Sequence, residues 1–394
     1  MANCIRNQHK EAGSAWPSYA DHFKMKILFV LSTSQSPGYS RMGSERQAMG
    51  QAMALNDMGH EVIVVNILRG VIDWDYGWDI INILNCGGPK APYILVEQMA
   101  KKLGIPVLVA PVYWPTDEVT RNIIDIFDYK GVDVDKFISD NRDHFSGIAP
   151  VIERADWILP NAEAEMEQVM DLWDAGEAPK IGYSVIPNAV DLENEIYPAL
   201  KLDELTFSDE IEGLLHERFV LCVGRVEPRK NQHNLINAMN ILWEDEENED
   251  LQLVFMGDRS DKYWDYLTKT LKGKHVLSAP PGGPLAVMKM MLRAECHAMP
   301  SYVETPGLVN LEAGALSRPI VVGDRGTLRE YFKDTPGCFY VDPNSPEDIA
   351  KGIKGAIEMG EAPALGELVE RDYNYYTVGQ KLISAYRTVI KKTK

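Results

Sequence analysis

Two acidic residues, Glu304 and Glu312, are separated by seven residues at a predicted boundary between a loop and a helix. The apolar run 295–301 predicts a buried strand, and the run 307–316 predicts a helix. Glu304 then lies in the loop, and Glu312 about one and a half turns into the helix. The free N–H groups at a helix start favour a phosphate, and the carboxylates can accept hydrogen bonds from sugar hydroxyls. Acidic residues are common near helix starts because the helix dipole stabilises them there. The pair therefore indicates a binding site only together with a second motif.

A basic cluster further upstream supplies that motif. It follows a strand predicted over residues 219–223, and Gly224 allows the backbone to turn tightly there. Arg225 and Lys230 come next, at the carboxyl end of a parallel strand, where they are placed to neutralise a diphosphate. Arg225 would supply a planar fork and Lys230 a point charge. Arg229 is expected to belong to a solvated basic loop.

These two clusters together resemble the signature of the retaining glycosyltransferases of family 4, which have the GT-B fold. The resemblance extends over residues 25–390 and includes the segments 59–62, 186–191 and 312–320. It implies a nucleotide-diphosphate sugar as donor, a hydroxyl acceptor, and a donor site built mainly by the second of two domains.

The resemblance also implies a role for each residue. Arg225 and Lys230 would grip the diphosphate, Glu304 would hold hydroxyls of the transferred sugar, and Glu312 would accept hydrogen bonds from the ribose. Arg225, Lys230 and Glu304 are the expected catalytic residues, although both carboxylates are assigned to binding and positioning and neither to a covalent intermediate. The expected donor-binding set is Gly43, Gly224, Arg225, Lys230, Glu304, Gly307, Leu308 and Glu312.

The implied reaction breaks a sugar–phosphate bond, so negative charge accumulates on the departing diphosphate. Cations and a helix N-terminus can stabilise that charge without a metal. No metal and no cofactor are therefore expected. The Asp-x-Asp pairs at 73–75 and 133–135 are attributed to chance among 58 acidic residues.

The first domain is expected to contribute Gly43 to the donor site. Ser44 and Gln47 follow it with the spacing of a capping box, which predicts a helix that starts at the cleft. The family usually has Gly-Gly at this point, and this chain has Met42-Gly43.

The acceptor side departs from the family pattern. Many members carry a histidine after the fourth strand, but the segment 105–116 contains none. Tyr113 and Trp114 are alternatives that either line the acceptor side, stacking on sugar rings, or pack in the core. His144 is the nearest histidine in sequence, and such a histidine is more often structural.

Strands and helices are predicted to alternate along the whole chain, which is typical of α/β folds with parallel sheets covered on both faces. The expectation is a GT-B fold of two doubly wound Rossmann-like domains facing across a cleft. The predicted parts are a loosely ordered extension (1–24), an acceptor-side domain (25–195), a donor domain (196–372), and a C-terminal helix (373–394) that by resemblance crosses back to the first domain. The predicted strands lie near 26–31, 61–66, 79–84, 105–110, 156–159, 182–186, 219–223, 251–256, 274–277, 296–299, 319–322 and 338–341.

Composition restricts the remaining possibilities. The chain has 394 residues, 45% of them hydrophobic, with five cysteines and a net charge of −18. This charge argues against nucleic acid and against docking on anionic membranes, so a soluble acceptor is favoured over a lipid. The odd, scattered cysteines and the lack of a secretory signal favour a cytoplasmic protein.

Three functions remain open at this stage. The leading one is glycosyl transfer from a UDP-, GDP- or ADP-sugar to a glycan, a glycoconjugate or a small molecule. A GT-B isomerase or phosphorylase is the second, although a phosphorylase needs a pyridoxal-phosphate lysine that is not evident. The third is an inactive or repurposed module that binds sugar nucleotides. The sequence does not indicate the base, the sugar, the linkage or the oligomeric state.

Overall fold

The computed structural model contains two parallel six-stranded sheets in the part of the chain that it describes. The strand order is β2-β1-β3-β4-β5-β6 in the first sheet and β12-β11-β10-β7-β8-β9 in the second. The structure describes residues 24–32, 43–86, 90–129, 132–138, 147–173, 176–202, 205–271, 275–280 and 282–393. Nearly all of the predicted extension 1–24 lies outside these ranges.

The first domain surrounds the first sheet. Its strands are β1 (Lys26–Leu31), β2 (Glu61–Asn66), β3 (Ile80–Leu84), β4 (Val107–Ala110), β5 (Trp157–Ile158) and β6 (Gly182–Tyr183). Its helices are α1 (Gly43–Asp57), α2 (Lys90–Leu103), α3 (Asp117–Ile126), α4 (Ala149–Ile152) and α5 (Glu163–Met170).

The second domain surrounds the second sheet. Its strands are β7 (Phe219–Val223), β8 (Gln252–Met256), β9 (Val276–Ala279), β10 (Cys296–Met299), β11 (Ile320–Gly323) and β12 (Cys338–Val341). Its helices are α6 (Tyr197–Leu200), α7 (Asp209–Glu212), α8 (Gln232–Leu242), α9 (Asp261–Thr270), α10 (Pro284–Arg293), α11 (Leu308–Ala315), α12 (Leu328–Phe332), α13 (Pro346–Met359) and α14 (Pro363–Asp372). A π-helical turn (Leu192–Ile196) and 3₁₀ turns (Trp74–Tyr76, Pro228–Lys230, Glu246–Asn248) complete the set.

All twelve predicted strands are present, and the predicted α/β class is confirmed. The strands of the sheet centres are buried on both faces, as β7 and β8 show, which is why they appear in the sequence as continuous apolar runs. The differences lie at strand ends. The strand predicted at 182–186 is only Gly182–Tyr183, an edge strand of two residues.

The last helix, α15 (Tyr375–Thr393), packs on the first domain although it follows the second in sequence. Its Tyr386 hydroxyl accepts a hydrogen bond of 2.9 Å from Asn82 on β3. Its buried apolar residues share one core cluster with β1, and these residues are Val378, Leu382, Ala385, Tyr386, Val389 and Ile390. No helix among the described residues is both long enough and apolar enough to cross a membrane.

The chain therefore passes between the domains twice. The first pass leaves the first domain near Val190, and the second returns near Asn374. These two residues form a parallel β-bridge, and the Val190 N–H donates to the Tyr373 carbonyl at 2.9 Å. Ligands of doubly wound sheets bind where the strand order reverses, which here is between β7 and β10 and between β1 and β3.

Candidate active site

The centre of the site is an ion pair between Lys230 and Glu304. Lys230 ends the 3₁₀ turn that follows β7, and Glu304 lies in the loop after β10, so the strand-order reversal of the second sheet brings them together. Lys230 Nζ donates to Glu304 Oε1. The residues are only 8% and 4% exposed. Because neither charge is well hydrated, each needs the other, or a charged ligand, to remain ionised.

Arg229 belongs to the same cluster, and the prediction of a solvated basic loop was wrong for it. Its Nη1 donates to the Val303 carbonyl at 3.0 Å and lies 3.4 Å from Glu304 Oε1. Its Nη2 donates to Glu227 at 3.0 Å. Burial alone would raise the pKa of the Glu304 carboxyl, but the charges of Lys230 and Arg229 outweigh burial and leave that pKa below its usual range.

Gly307 is required by the backbone and by Glu304. Its φ is +79°, and a Cβ built there would lie 2.7 Å from Glu304 Oε2 and 3.1 Å from Asn310 Nδ2. A methyl group would therefore push the carboxylate aside. Gly326, which the sequence did not single out, is similarly restricted, since a Cβ there would lie 2.1 Å from the Glu304 carbonyl oxygen.

The second carboxylate, Glu312, is buried on α11 and is bound by an arginine of the first domain. Arg46 Nη1 donates to Glu312 Oε1 at 2.6 Å, and Arg46 Nη2 donates to Glu195 Oε2 at 2.6 Å. Burial opposes charge on Arg46, but Glu312 and Glu195 raise the pKa of its guanidinium. Sequence reasoning did not single out Arg46, because a pair 266 positions apart leaves no local pattern.

The starts of α1 and α11 meet across the cleft. A Cβ on Gly43 would lie 3.6 Å from Leu308 Cδ1, which is ordinary contact. The positive ends of two helix dipoles thus lie near one another, an arrangement that favours an anion between the domains. The predicted capping box is wrong, since the Gln47 side chain exchanges hydrogen bonds of 2.6 and 2.9 Å with the Ala189 backbone. Ser44 Oγ lies 3.3 Å from Asn85 Nδ2.

Arg225 is the most accessible cation of the cluster. It follows Gly224, whose φ of +142° only glycine adopts readily. The Arg225 side chain is 57% exposed, and its Nη1 lies 3.6 Å from Glu227 Oε2. A pair this exposed contributes little to stability, so the guanidinium can turn toward an anion at low cost.

Buried polar residues support the loops that carry the cluster. Asn231, next to Lys230, has a φ of +59° and donates to the carbonyls of Pro300 and Pro343 at 2.8 and 2.7 Å. It thereby ties together the loops after β7, β10 and β12. His297 on β10 accepts a hydrogen bond of 3.2 Å from the Val223 N–H, and burial lowers the pKa of His297 to about 4, so its ring is neutral.

The acceptor-side candidates have different surroundings. Tyr113 packs against the core of the first domain, and its N–H donates to Glu165 at 2.6 Å. Trp114 packs with Tyr302 and Val303 of the second domain. These contacts do not decide between the two alternatives, and the acceptor role of both residues stays a prediction. His144 lies outside the described residues.

The two Asp-x-Asp pairs have structural partners. Asp73 caps the 3₁₀ turn Trp74–Tyr76, and its carbonyl accepts a hydrogen bond of 2.7 Å from Trp78 Nε1. Asp135 forms a surface ion pair of 2.6 Å with Arg121. Among the residues with described positions, no group of three or more acidic, histidine or cysteine side chains is arranged to hold a metal ion.

Two facing doubly wound domains, with the charged cluster at the sheet ends between them, define the GT-B fold. Solved structures share it: sucrose-phosphate synthase from Thermosynechococcus elongatus has a TM-score of 0.69 and 16% identity, covering 93% of this chain and 100% of that one. HepE from Anabaena, in complex with UDP and glucose, has a TM-score of 0.63 and 16% identity, covering 92% and 100%.

Residues 207–368 match the family model described as glycosyl transferases group 1. A curated relative, D-inositol 3-phosphate glycosyltransferase of Corynebacterium glutamicum (strain R), is 25% identical over 250 residues, which are 60% of this chain and 54% of the relative. A galactosaminyltransferase of Campylobacter jejuni, named for an undecaprenol-linked acceptor, is 28% identical over 215 residues, 54% and 53% of the two chains. The chain spans about half the length of the curated relatives that it matches.

Proposed function

We propose that this protein is a retaining glycosyltransferase that moves a sugar from a nucleotide-diphosphate sugar to a hydroxyl acceptor without a metal ion. The observation that carries the proposal is the buried ion pair of Lys230 and Glu304, with the half-buried Arg229 beside it, at the strand-order reversal of a glycosyl transferases group 1 domain. The three cations Arg225, Arg229 and Lys230 outnumber the two carboxylates Glu227 and Glu304 there, and the net positive charge suits a diphosphate beside a sugar.

Each part of the donor has a partner of matching chemistry. Lys230 and Arg225 would bind the diphosphate, together with the N–H groups at the start of α11. Glu304 would accept hydrogen bonds from hydroxyls of the sugar, and Glu312 would do the same for the ribose. Lys230 would then exchange part of its contact with Glu304 for a phosphate oxygen, so that the buried charges stay balanced.

The transfer step follows from this placement. The bond between the anomeric carbon and the phosphate oxygen breaks, and its electron pair leaves with the diphosphate. The acceptor oxygen forms the new bond on the same face of the sugar, and its proton passes to a phosphate oxygen. Lys230, which is already in place, and Arg225, once it has turned from Glu227 toward the diphosphate, stabilise the charge that grows on the leaving group and so lower the barrier.

The acceptor belongs to the first domain in this proposal. The curated relatives are named for acceptors as different as inositol phosphate and an undecaprenol-linked saccharide. UDP is the first nucleotide to test, because HepE, a structure with the same fold, holds it.

The test is a binding screen followed by a turnover assay. Isothermal titration with UDP, GDP and ADP, each with EDTA, is expected to show one nucleotide that binds at micromolar concentration without a metal. The corresponding nucleotide sugars are then incubated with a panel of acceptors, and the anomeric configuration of the product is read by NMR. Binding without any transfer or hydrolysis would favour an inactive module, and no binding by folded protein would refute the proposal.

A further inference from the structure

Arg46 forms the most direct link between the first domain and the donor-site carboxylates. It is the fourth residue of α1, one turn beyond the helix start that meets Leu308. Its guanidinium lies between two carboxylates, with Nη1 2.6 Å from Glu312 and Nη2 2.6 Å from Glu195. One cation thus serves two anions that belong to different segments of the chain.

This contact covers the carboxylate that the ribose is proposed to use. The Glu312 side chain is 2% exposed, whereas the Arg46 side chain above it is 32% exposed. The bond from Nη1 ends on Oε1, the kind of acceptor position that a ribose hydroxyl needs. A ribose hydroxyl can take this place on Oε1 only if the guanidinium moves away from it.

Glu195 can keep the Arg46 guanidinium paired when that guanidinium leaves Glu312. Glu195 lies in the π-helical turn Leu192–Ile196, directly after the first pass between the domains, and it is also mostly buried. Arg46 can therefore give up Glu312 and keep Glu195. The charge on the guanidinium remains balanced, so the exchange does not require an unpaired buried cation.

We propose that Arg46 is a donor-site residue that competes with the ribose for Glu312, with Glu195 as the partner that retains it during binding. This inference rests on the proposed function, because it takes Glu312 as the ribose acceptor. The competition reduces the fraction of protein that is ready to bind, and the apparent affinity for the nucleotide falls by the same factor.

Removing Arg46 and removing the charge of Glu195 are expected to change the affinity for UDP in opposite directions. In Arg46→Met the competitor is gone, and UDP is expected to bind at least about threefold more tightly than to the wild type. In Glu195→Gln the charged alternative partner is gone, so Arg46 stays on Glu312 and UDP is expected to bind at least about threefold more weakly. A purely structural role for the bridge would weaken binding in both variants.

The measurement is isothermal titration of the full chain with UDP, or with whichever nucleoside diphosphate the wild type binds, after melting curves show that each variant is folded. Weaker or unchanged binding by Arg46→Met overturns the inference, as does tighter or unchanged binding by Glu195→Gln. If Arg46→Met does not fold, Arg46→Gln takes its place, because it removes the charge but keeps a polar side chain, and it is likewise expected to bind UDP more tightly than the wild type. If the wild type binds no nucleotide at all, the proposed function fails and this inference fails with it. That result differs from one in which the wild type binds and the affinities of the variants change in the wrong direction, which overturns this inference alone.

Discussion

Replacing Lys230 by methionine separates the structural role of the buried ion pair from its role toward a donor. Methionine is unbranched and similar in length, so the packing of the side chain is largely kept while the charge is removed. Glu304 then loses its hydrogen bond to Nζ and retains Arg229, 3.4 Å from the same oxygen. The second variant of the pair, Lys230→Met with Glu304→Gln, removes the carboxylate charge as well.

The expected magnitudes follow from burial. Removing one partner of a buried ion pair costs about 3–5 kcal/mol, and the remaining Arg229 reduces this to roughly 2 kcal/mol. That corresponds to a decrease in melting temperature of about 4–8 °C for a domain of this size. Loss of one pre-placed charge at the leaving group is expected to lower kcat/KM by a factor of about 100–1000.

The assays are thermal unfolding, isothermal titration with UDP, and initial rates of transfer. Lys230→Met is expected to lose stability, nucleotide affinity and rate together, and the double variant to recover most of the stability without recovering activity. Folded Lys230→Met with affinity and kcat within twofold of the wild type would remove Lys230 from the donor site. A double variant no more stable than the single one would refute the argument that an uncompensated carboxylate causes the instability.

Three further predictions concern other residues. Glu304→Gln is expected to lower the transfer rate at least tenfold while changing the affinity for free UDP less than threefold, because UDP has no sugar to hold; equal losses in both would contradict this. Gly307→Ala is expected to lower the free energy of unfolding by about 2 kcal/mol or more, because of the positive φ and the contact with Glu304. Gly43→Ala is the control: a methyl group there meets only ordinary contact, and the free energy of unfolding should change by less than about 0.5 kcal/mol. Burial raises the pKa of Glu97 to about 8, so the folded state favours its protonated form and wild-type stability falls as pH rises from about 4.5 to about 8. Glu97→Gln should therefore raise Tm by a few degrees at pH 8 and much less at pH 5. An equal shift of Tm at both pH values would refute the raised pKa of Glu97.

The sequence predicted the parts of the fold that depend on local patterns. Strands such as β7 and β10 were found because a strand covered on both faces is a continuous apolar run. The placement of Glu304 in a loop and of Glu312 on a helix followed from the same pattern and agrees with the structure. The strand order brings Lys230 to Glu304; the resemblance placed both in the donor site but did not predict this ion pair, which local pattern does not contain.

The remaining site features depend on contacts between distant segments. Arg46 was not predicted, since nothing near it in the chain indicates that Glu312 lies opposite. Arg229 was assigned to a solvated loop, and only the fold shows that its guanidinium contacts Val303 and Glu304. Gln47 has the spacing of a capping residue, but a tertiary contact with Ala189 takes its side chain instead.

The double passage of the chain between the domains restricts how they can move. A single covalent tether would permit rotation about any direction, whereas two strands hydrogen-bonded side by side at Val190 and Asn374 bend most easily about one line. We therefore expect the cleft to open mainly by rotation about that line. The same connectivity means that no single cut of the polypeptide separates the two domains with each core complete. A cut near Val190 leaves α15 attached to the second domain, while the apolar surface that it covers remains with the first.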